Sequence, residues 1–551
     1  MAFVNPYSFI PLDEGSAGKK EWSEYYKDEE GLLTGRLDCR LVARNPVIIP
    51  DQMDPEKKSY KDKKYDAYPF MTVAGKPMIP GSSLRGVVRS LFEAITDSCV
   101  YTNDDYYFSS RTNIAKTAGM LERTKNGWRL LAANRYADKD GFIPESKKTG
   151  EKIAFSWYEI RGKLYVSREL QGRQIDGYIL KMNPMRTETG YSSHSIFVPT
   201  GDTVEETLEE KYIDVFKENL KKYIDGAAKE KAKIYKERFE KTEKEGGMIP
   251  VWYEKSEGGY YLAPSQLSRN IYTRKPKDIL PEKLKPCIRR ESLCPACALF
   301  GFVSKTNSGE TGAMGSRVRF TDAWATEKNI LGEYTLLPIL SSPRTSSLEF
   351  YLRYGEDFYH ADTPGVELSG RKFYWHHSGF NMKALKPDEN PKMTSFMQPA
   401  DAGSEFCFNV YFDRITKGQL DQLYTAITLG ENSEDSNLCL KIGHGKPLGF
   451  GSVKVIVDKA YKRVYSDDFY KPEVAIPPEE LTAVNIPGVI KKAMDYNAAE
   501  GLNIDYPRVN GRIFTWFAKN RPPADRGKAR FYKKLPLATN RDITLPEDTK
   551  S

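Results

Sequence analysis

The chain has 551 residues, 40% of them hydrophobic and 29% charged. That is enough apolar material for a substantial core, in one very large or two to four ordinary domains. Its net charge is +8, from 83 Lys and Arg against 75 Asp and Glu, which permits a polyanionic partner without requiring one. No run of 18 apolar residues exists to span a membrane, and the start MAFVNPYSFIPLDEG is not built like a signal peptide. Seven cysteines in so long a chain do not make a disulfide scaffold; three of them fall within eleven residues, the pattern of a metal site in a reducing cytoplasm.

In chain order, RLDCRLVA at 36–43 alternates apolar and polar positions and predicts a strand. PDQMDPEKKSYKDKKYD follows and reads as a polar loop holding Asp51, Asp54, Asp62 and Asp66. IPGSSLRGVVRSLFEAI has Leu84, Val87, Val88, Leu91, Phe92 and Ile95 at helical spacing, which predicts an amphipathic helix capped by Ser82 or Ser83. Residues 203–244 are dense in Glu and Lys, with Leu208, Tyr212, Val215, Phe216, Tyr223 and Ile224 at helical spacing. One or two surface helices are expected there, within an insertion at 100–286. Strand patterns resume at SRVRFTDAW, at EFCFNVYF (405–412) and at SVKVIVD (452–458). From about 460 to 551 the chain is rich in Pro, Lys and Asp and reads as an extended or partly helical extension that docks on something.

Four groups carry chemistry. Cys287, Cys294 and Cys297 have the C-x6-C-x2-C spacing of a knuckle that aims thiolates at one tetrahedral ion, so structural zinc is expected. The fourth ligand is assigned to Cys99; His360, Cys407 and Cys439 are the alternatives. The helix start with Ser82, Ser83, Arg85 and Arg89 makes a phosphate cradle, or a well-capped surface helix. The loop Gly443-His444-Gly445-Lys446-Pro447-Leu448-Gly449-Phe450-Gly451 has neither P-loop nor dinucleotide spacing. It exposes N–H groups to an anion or simply turns before a strand. Arg371, Lys372, Tyr374 and Trp375, beside His376 and His377, form a basic aromatic cluster suited to phosphates and bases, or a strand on the core. No Ser-His-Asp triad, HEXXH motif or kinase signature is present.

The order IPGSSLRGVVRSLFE, CPACALFG, SRVRFTDA, GHGKPLGFGSVKV resembles the RAMP superfamily of CRISPR-associated proteins. The resemblance covers about residues 1–99 and 287–460. It is closest to backbone subunits of type III effector complexes, and FVNPYSFIPL and LSGRKFYWHH resemble a subfamily of type III-D-like loci. It implies an α+β fold: a modified RNA-recognition, ferredoxin-like core with a large, partly helical insertion and a C-terminal extension. The expected parts are 1–99 and 287–460 (core, with the zinc knuckle), 100–286 (insertion) and 461–551 (extension). It further implies a cytoplasmic antiviral subunit that binds CRISPR guide RNA and target RNA beside other effector subunits, with zinc in some relatives. In catalytic relatives a loop aspartate cuts target RNA. Here that position is Asp66, with Asp62 as runner-up, and Mg or Mn would assist. A non-catalytic structural subunit and a guide-processing endoribonuclease, using His444 as base, are the other readings.

Overall fold

The structure, a computed structural model, describes residues 5–12, 18–27, 31–51, 55–101, 106–110, 115–139, 141–167, 174–182, 194–225, 229–256, 259–305, 311–340, 348–353, 361–466, 469–502 and 504. Asp54, His360 and residues 505–551 lie outside them. The fold is mixed α+β. Its central sheet is built from β1 (Leu33–Ala43), β2 (Val318–Phe320), β3 (Ala323–Ala325), β4 (Glu405–Ile415) and β5 (Ser452–Ser466). Helix α1 (Gly81–Ile95) falls between β1 and β2, and helix α2 (Lys417–Thr428) between β4 and β5. The sheet runs β5, β1, β4, then β2 and β3, with every neighbour antiparallel. Counting β2 and β3 as one broken strand, this is the β-α-β-β-α-β order of a ferredoxin-like unit.

Alternation decides which face of β1 is buried. Leu37, Cys39, Leu41 and Ala43 enter the core, while Arg36, Asp38 and Arg40 point the other way. Both helices cover the apolar face through Leu84, Val88, Leu91 and Phe92 of α1 and Leu420, Leu423 and Ile427 of α2. A capping box starts α2: the Gln419 N–H donates to Thr416 Oγ1 (3.2 Å), and the Thr416 N–H donates to Gln419 Oε1 (3.0 Å). The uncovered face is ion-paired. Arg36 meets Asp38 (2.8 Å) and Glu473 (2.6 Å), and Arg40 meets Glu405 (3.1 Å) and Glu434 (2.6 Å).

Helix α1 begins differently from the expectation. Neither Ser82 nor Ser83 caps it; the N-cap residue is Pro80, whose side chain accepts nothing. The first free N–H, of Gly81, instead donates to Asp322 Oδ1 at 2.8 Å. Glycine is required there because a Cβ would stand 2.5 Å from the Phe320 carbonyl oxygen.

Three segments interrupt the core unit. The expected loop at 50–66 is in large part a hairpin, Glu56–Tyr60 with Lys63–Tyr68. Its turn residues Lys61 and Asp62 both adopt positive φ (45° and 61°), which matches the twist of a two-residue hairpin turn. Residues 117–263 carry a separate nine-stranded sheet. Helices Glu210–Ile224 and Lys229–Glu245 pack on it through Phe216, Tyr235 and Phe239, the last stacked on Trp128 at 5.0 Å. Among the described residues the insertion is therefore mainly sheet; its two long helices lie at 210–245, in the expected charged stretch, and only short turns of helix, Pro276–Ile279 and Glu282–Leu284, follow. Between β3 and β4, strand Arg371–Tyr374 pairs with the N-terminal strand Tyr7–Ile10. Past β5, strand Phe469–Ala475 extends the sheet, and a short helix, Gly488–Met494, follows. Among the described residues no helix is long and apolar enough to cross a membrane.

Replacing Asp322 by alanine removes the acceptor for Gly81 and is expected to cost about 1 kcal/mol. The check is a lowered urea midpoint followed by tryptophan fluorescence.

Candidate nucleic-acid interface and metal cluster

Several segments far apart in sequence meet around one cavity of about 600 Å³. The first turn of α1 contributes Ser82 and Ser83, and the same face continues through Gly86 and Ser90. Strand Arg371–Tyr374 contributes Lys372 and Tyr374. The glycine loop contributes Gly443, His444 and Lys446, with Lys441 just before it, and Met494 closes one end. The glycine loop can turn this tightly because Gly443, Gly445, Gly449 and Gly451 all sit at φ between +72° and +110°. A Cβ on Gly451 would lie 1.9 Å from the Ile442 carbonyl oxygen. The loop is tied down by the His444 N–H donating to the Ile48 carbonyl (2.8 Å). Lys441 Nζ donates to the carbonyls of Gly449 (3.1 Å) and Phe450 (3.0 Å).

The groove is uniformly basic. Three lysines line it, and none of its lining residues is acidic. The consequence is visible in their protonation. Burial and the neighbouring Lys446 push Lys372 down to about 8. Burial holds Lys446 below the ordinary lysine range and takes Lys441 down to about 7. His444 is lowered by burial and by Lys446, which favours its neutral form. Lys372 Nζ lies 3.8 Å from the Tyr7 ring centroid and 5.0 Å from that of Tyr374. These faces compensate the charge only partly. With the α1 N-terminus adding its positive dipole end, the groove is arranged for an anion with several oxygens.

The arginines expected in this cradle are elsewhere. Arg85 and Arg89 share a face of α1, but that face turns toward the cysteine knuckle. Arg85 Nη2 donates to the Phe300 carbonyl (2.5 Å). Arg89 donates to Glu93 Oε1 (2.9 Å) and the Gly301 carbonyl (3.0 Å), and it covers the Tyr101 ring at 4.0 Å. Arg371 is buried against Glu93 (3.6 Å) and donates to the Ser98 carbonyl. The strand's alternation separates it from Lys372. Trp375 packs with Ala498 and Ala499. His376 is buried with its Nδ1 2.9 Å from Ser452 Oγ, and burial takes His377 down to about 3. Lys441, Gly86 and Ser90 belong to the groove and were missed. Lys441 stands two residues before the loop, in the short strand Leu440–Lys441.

The knuckle lies at the other end of α1. The Sγ atoms of Cys99, Cys287, Cys294 and Cys297 all lie within 4.8 Å of one another, and all four residues are buried. Cys99 Sγ is 3.5 Å from that of Cys294 and 3.6 Å from that of Cys297. A tetrahedron with metal–sulfur bonds of about 2.3 Å has edges of about 3.8 Å, and a disulfide would need about 2.05 Å. The donor set therefore fits a closed tetrahedral ion. Two N–H···S bonds shape it, Cys294 N–H to Cys287 Sγ (3.3 Å) and Cys297 N–H to Cys294 Sγ (3.4 Å). Contacts with the other three thiols hold Cys294 below the ordinary thiol range and push Cys297 up. Cys439 is buried and Cys407 exposed, and neither joins the cluster.

Asp51, Asp62 and Asp66 are not among the residues that line the groove. Asp66 lies in strand Lys63–Tyr68, not in a loop, and its carboxylate is ion-paired with Lys57. Asp62 occupies the exposed hairpin turn, and Asp51 precedes the hairpin.

Residues 60–259 match the model of the RAMP superfamily. The match spans most of the hairpin, α1 and nearly all of the inserted sheet. It stops short of the knuckle and the glycine loop, where part of the motif resemblance had been expected. The crystal structure of Thermofilum pendens Csc2 is 9% identical over 86% of this chain and 84% of its own, with a TM-score of 0.25. A type IV-B CRISPR complex is 11% identical over 81% of this chain and 96% of the matched chain, with a TM-score of 0.22. No curated protein matches the chain.

Polyanion binding here should take up protons. Lys372 is charged below about pH 8 and neutral above it, and an adjacent phosphate favours the charged form. Affinity for oligouridylate is thus expected to fall between pH 7 and pH 9, where ordinary lysines stay charged. Calorimetry in buffers of different ionisation enthalpy would register the proton uptake.

Proposed function

We propose that this chain is a RAMP-type, RNA-binding subunit of a CRISPR effector complex, and that the groove holds the sugar–phosphate backbone of guide RNA. The observation that carries this reading is a cavity lined by three lysines and a helix start, with no carboxylate among its lining residues. The RAMP match and the ordered motifs supply the family context. On the motif resemblance we assign the complex to type III, III-D-like, acting in the cytoplasm with target RNA and other effector subunits as partners. Phosphate contacts carry no base identity, so binding is indifferent to guide sequence.

The knuckle's role is structural zinc, held by Cys99, Cys287, Cys294 and Cys297. The ion would lock the C-terminal end of α1 onto segment 287–301. The non-catalytic reading is favoured over cleavage at Asp66 because that carboxylate lies within a strand and is neutralised by Lys57. A target-RNA cut in Mg²⁺ or Mn²⁺ that disappears in Asp66→Ala or Asp62→Ala would reverse this preference. Loss of guide maturation in His444→Ala would point to the processing role.

In a salt titration with single-stranded RNA, Lys372→Gln and Lys446→Gln should each flatten the log–log slope by about 0.7. Arg85→Gln should leave the slope alone. Equal slopes in all three variants would remove the groove from RNA binding.

Elemental analysis of protein purified without chelators should find one zinc per chain. Cys294→Ser and Cys99→Ser should both lower it and reduce soluble yield. Full zinc retention in Cys99→Ser would reject that ligand alone.

A further inference from the structure

The three groove lysines are not equivalent. Lys441 is buried under the glycine loop, and its amine is occupied in holding that loop through the Gly449 and Phe450 carbonyls. Lys372 is half-buried at the cavity wall and makes no hydrogen bond or ion pair with another described residue. Its Nζ rests against the rings of Tyr7 and Tyr374. The Lys446 amine and the hydroxyls of Ser82 and Ser83 also line the cavity and are likewise without a partner among the described residues.

A lysine becomes a nucleophile when it is desolvated or stands beside a second cation, because either penalises the ammonium form. Both act on Lys372, where burial and Lys446 bring the amine down to about 8. About one tenth of it then carries a free lone pair at pH 7, against about one in 2,500 for an ordinary lysine. The ring faces favour the ammonium and oppose this in part. An unbonded amine on the wall of an anion-binding cavity selects electrophiles that carry a phosphate. Acyl phosphates fit: the phosphate oxygens take Lys446 and the serine hydroxyls, and the acyl carbon is joined directly to one of those oxygens.

We propose that Lys372 is an acylation site, and that acyl phosphates seated in the groove transfer their acyl group to its Nζ. The nitrogen lone pair attacks the acyl carbon, a C–N bond forms, and the C–O bond to phosphate breaks. Inorganic phosphate leaves with that electron pair and takes up the proton lost from nitrogen. The product is an uncharged amide, so the groove loses one cation and, with it, one phosphate contact. This rests on the reading of the groove as an anion seat, and it makes acylation a control on how much of the protein can take RNA.

The test is site-resolved mass spectrometry of the full chain incubated with acetyl phosphate. Lys372 should be acetylated at least about tenfold faster than Lys241 and Lys244, which are exposed on the helix Lys229–Glu245. Inorganic phosphate should slow Lys372 and leave those two unchanged. Oligouridylate should protect Lys372, and acetylated protein should show the flattening of the RNA salt slope, about 0.7, expected for Lys372→Gln. Equal rates at Lys372 and the helix lysines overturn the inference. A fast Lys372 that inorganic phosphate does not slow also overturns it, because the acyl donor then needs no seat. Fast acetylation that phosphate slows and oligouridylate does not keeps the acylation site and removes RNA from the groove. Slow acetylation together with the slope change in Lys372→Gln keeps RNA in the groove and removes the acylation site.

Discussion

Helix α1 is held at its two ends and along two of its three faces. At the N-terminal end, the Gly81 N–H reaches Asp322, at a distance from β2 that only glycine tolerates. Past the C-terminal end, Cys99 enters the cysteine cluster, and along the helix Arg85 and Arg89 bind the carbonyls that follow the knuckle. One stripe of α1 is spent on the core and a second on the knuckle. The third, Ser82, Ser83, Gly86 and Ser90, has only small side chains and becomes a wall of the groove. The cysteines thus act on the groove at a distance, by fixing the rotation of the helix.

The opposite wall is electrostatically costly. Lysines 372, 441 and 446 are each shifted toward neutrality by burial, and the lining offers no counter-charge. Such a cluster destabilises the fold by itself and is offset when an anion enters, which is the thermodynamic signature of a binding site. The ion pairs on the open face of the central sheet have the opposite character. Arg36 and Arg40 are already matched by carboxylates, so that face is the weaker competitor for RNA.

Much of this was legible in the sequence where a single period or spacing decides the outcome. Leu37, Cys39 and Leu41 announce β1, the apolar stripe from Leu84 to Phe92 announces α1, and the C-P-A-C knuckle announces a thiol cluster. Spacing puts Arg85 and Arg89 on one face, but it cannot say which face, because the knuckle that claims them is some two hundred residues away in sequence. The hairpin at 56–68 hid behind its lysines, which blur the alternation, and behind a Lys-Asp turn that carries no glycine. The inserted sheet had a readable mark in Asn126-Gly127, at the turn that joins two antiparallel strands. The charged helices beside it drew attention away. Helix α2 was also announced, by Thr416 and Gln419 at capping-box spacing.

Gly86 offers the most direct test that the groove is the RNA site. A Cβ there meets nothing within 4 Å, and the residue is in the interior of a helix, where a side chain improves on glycine. Gly86→Glu should place a carboxylate among the lysines without disturbing the packing. The measurement is single-stranded RNA affinity of this variant beside its urea midpoint. The account predicts RNA binding at least tenfold weaker, about 1.4 kcal/mol, with stability equal or higher. A stable Gly86→Glu protein that binds RNA as tightly as the parent would contradict it.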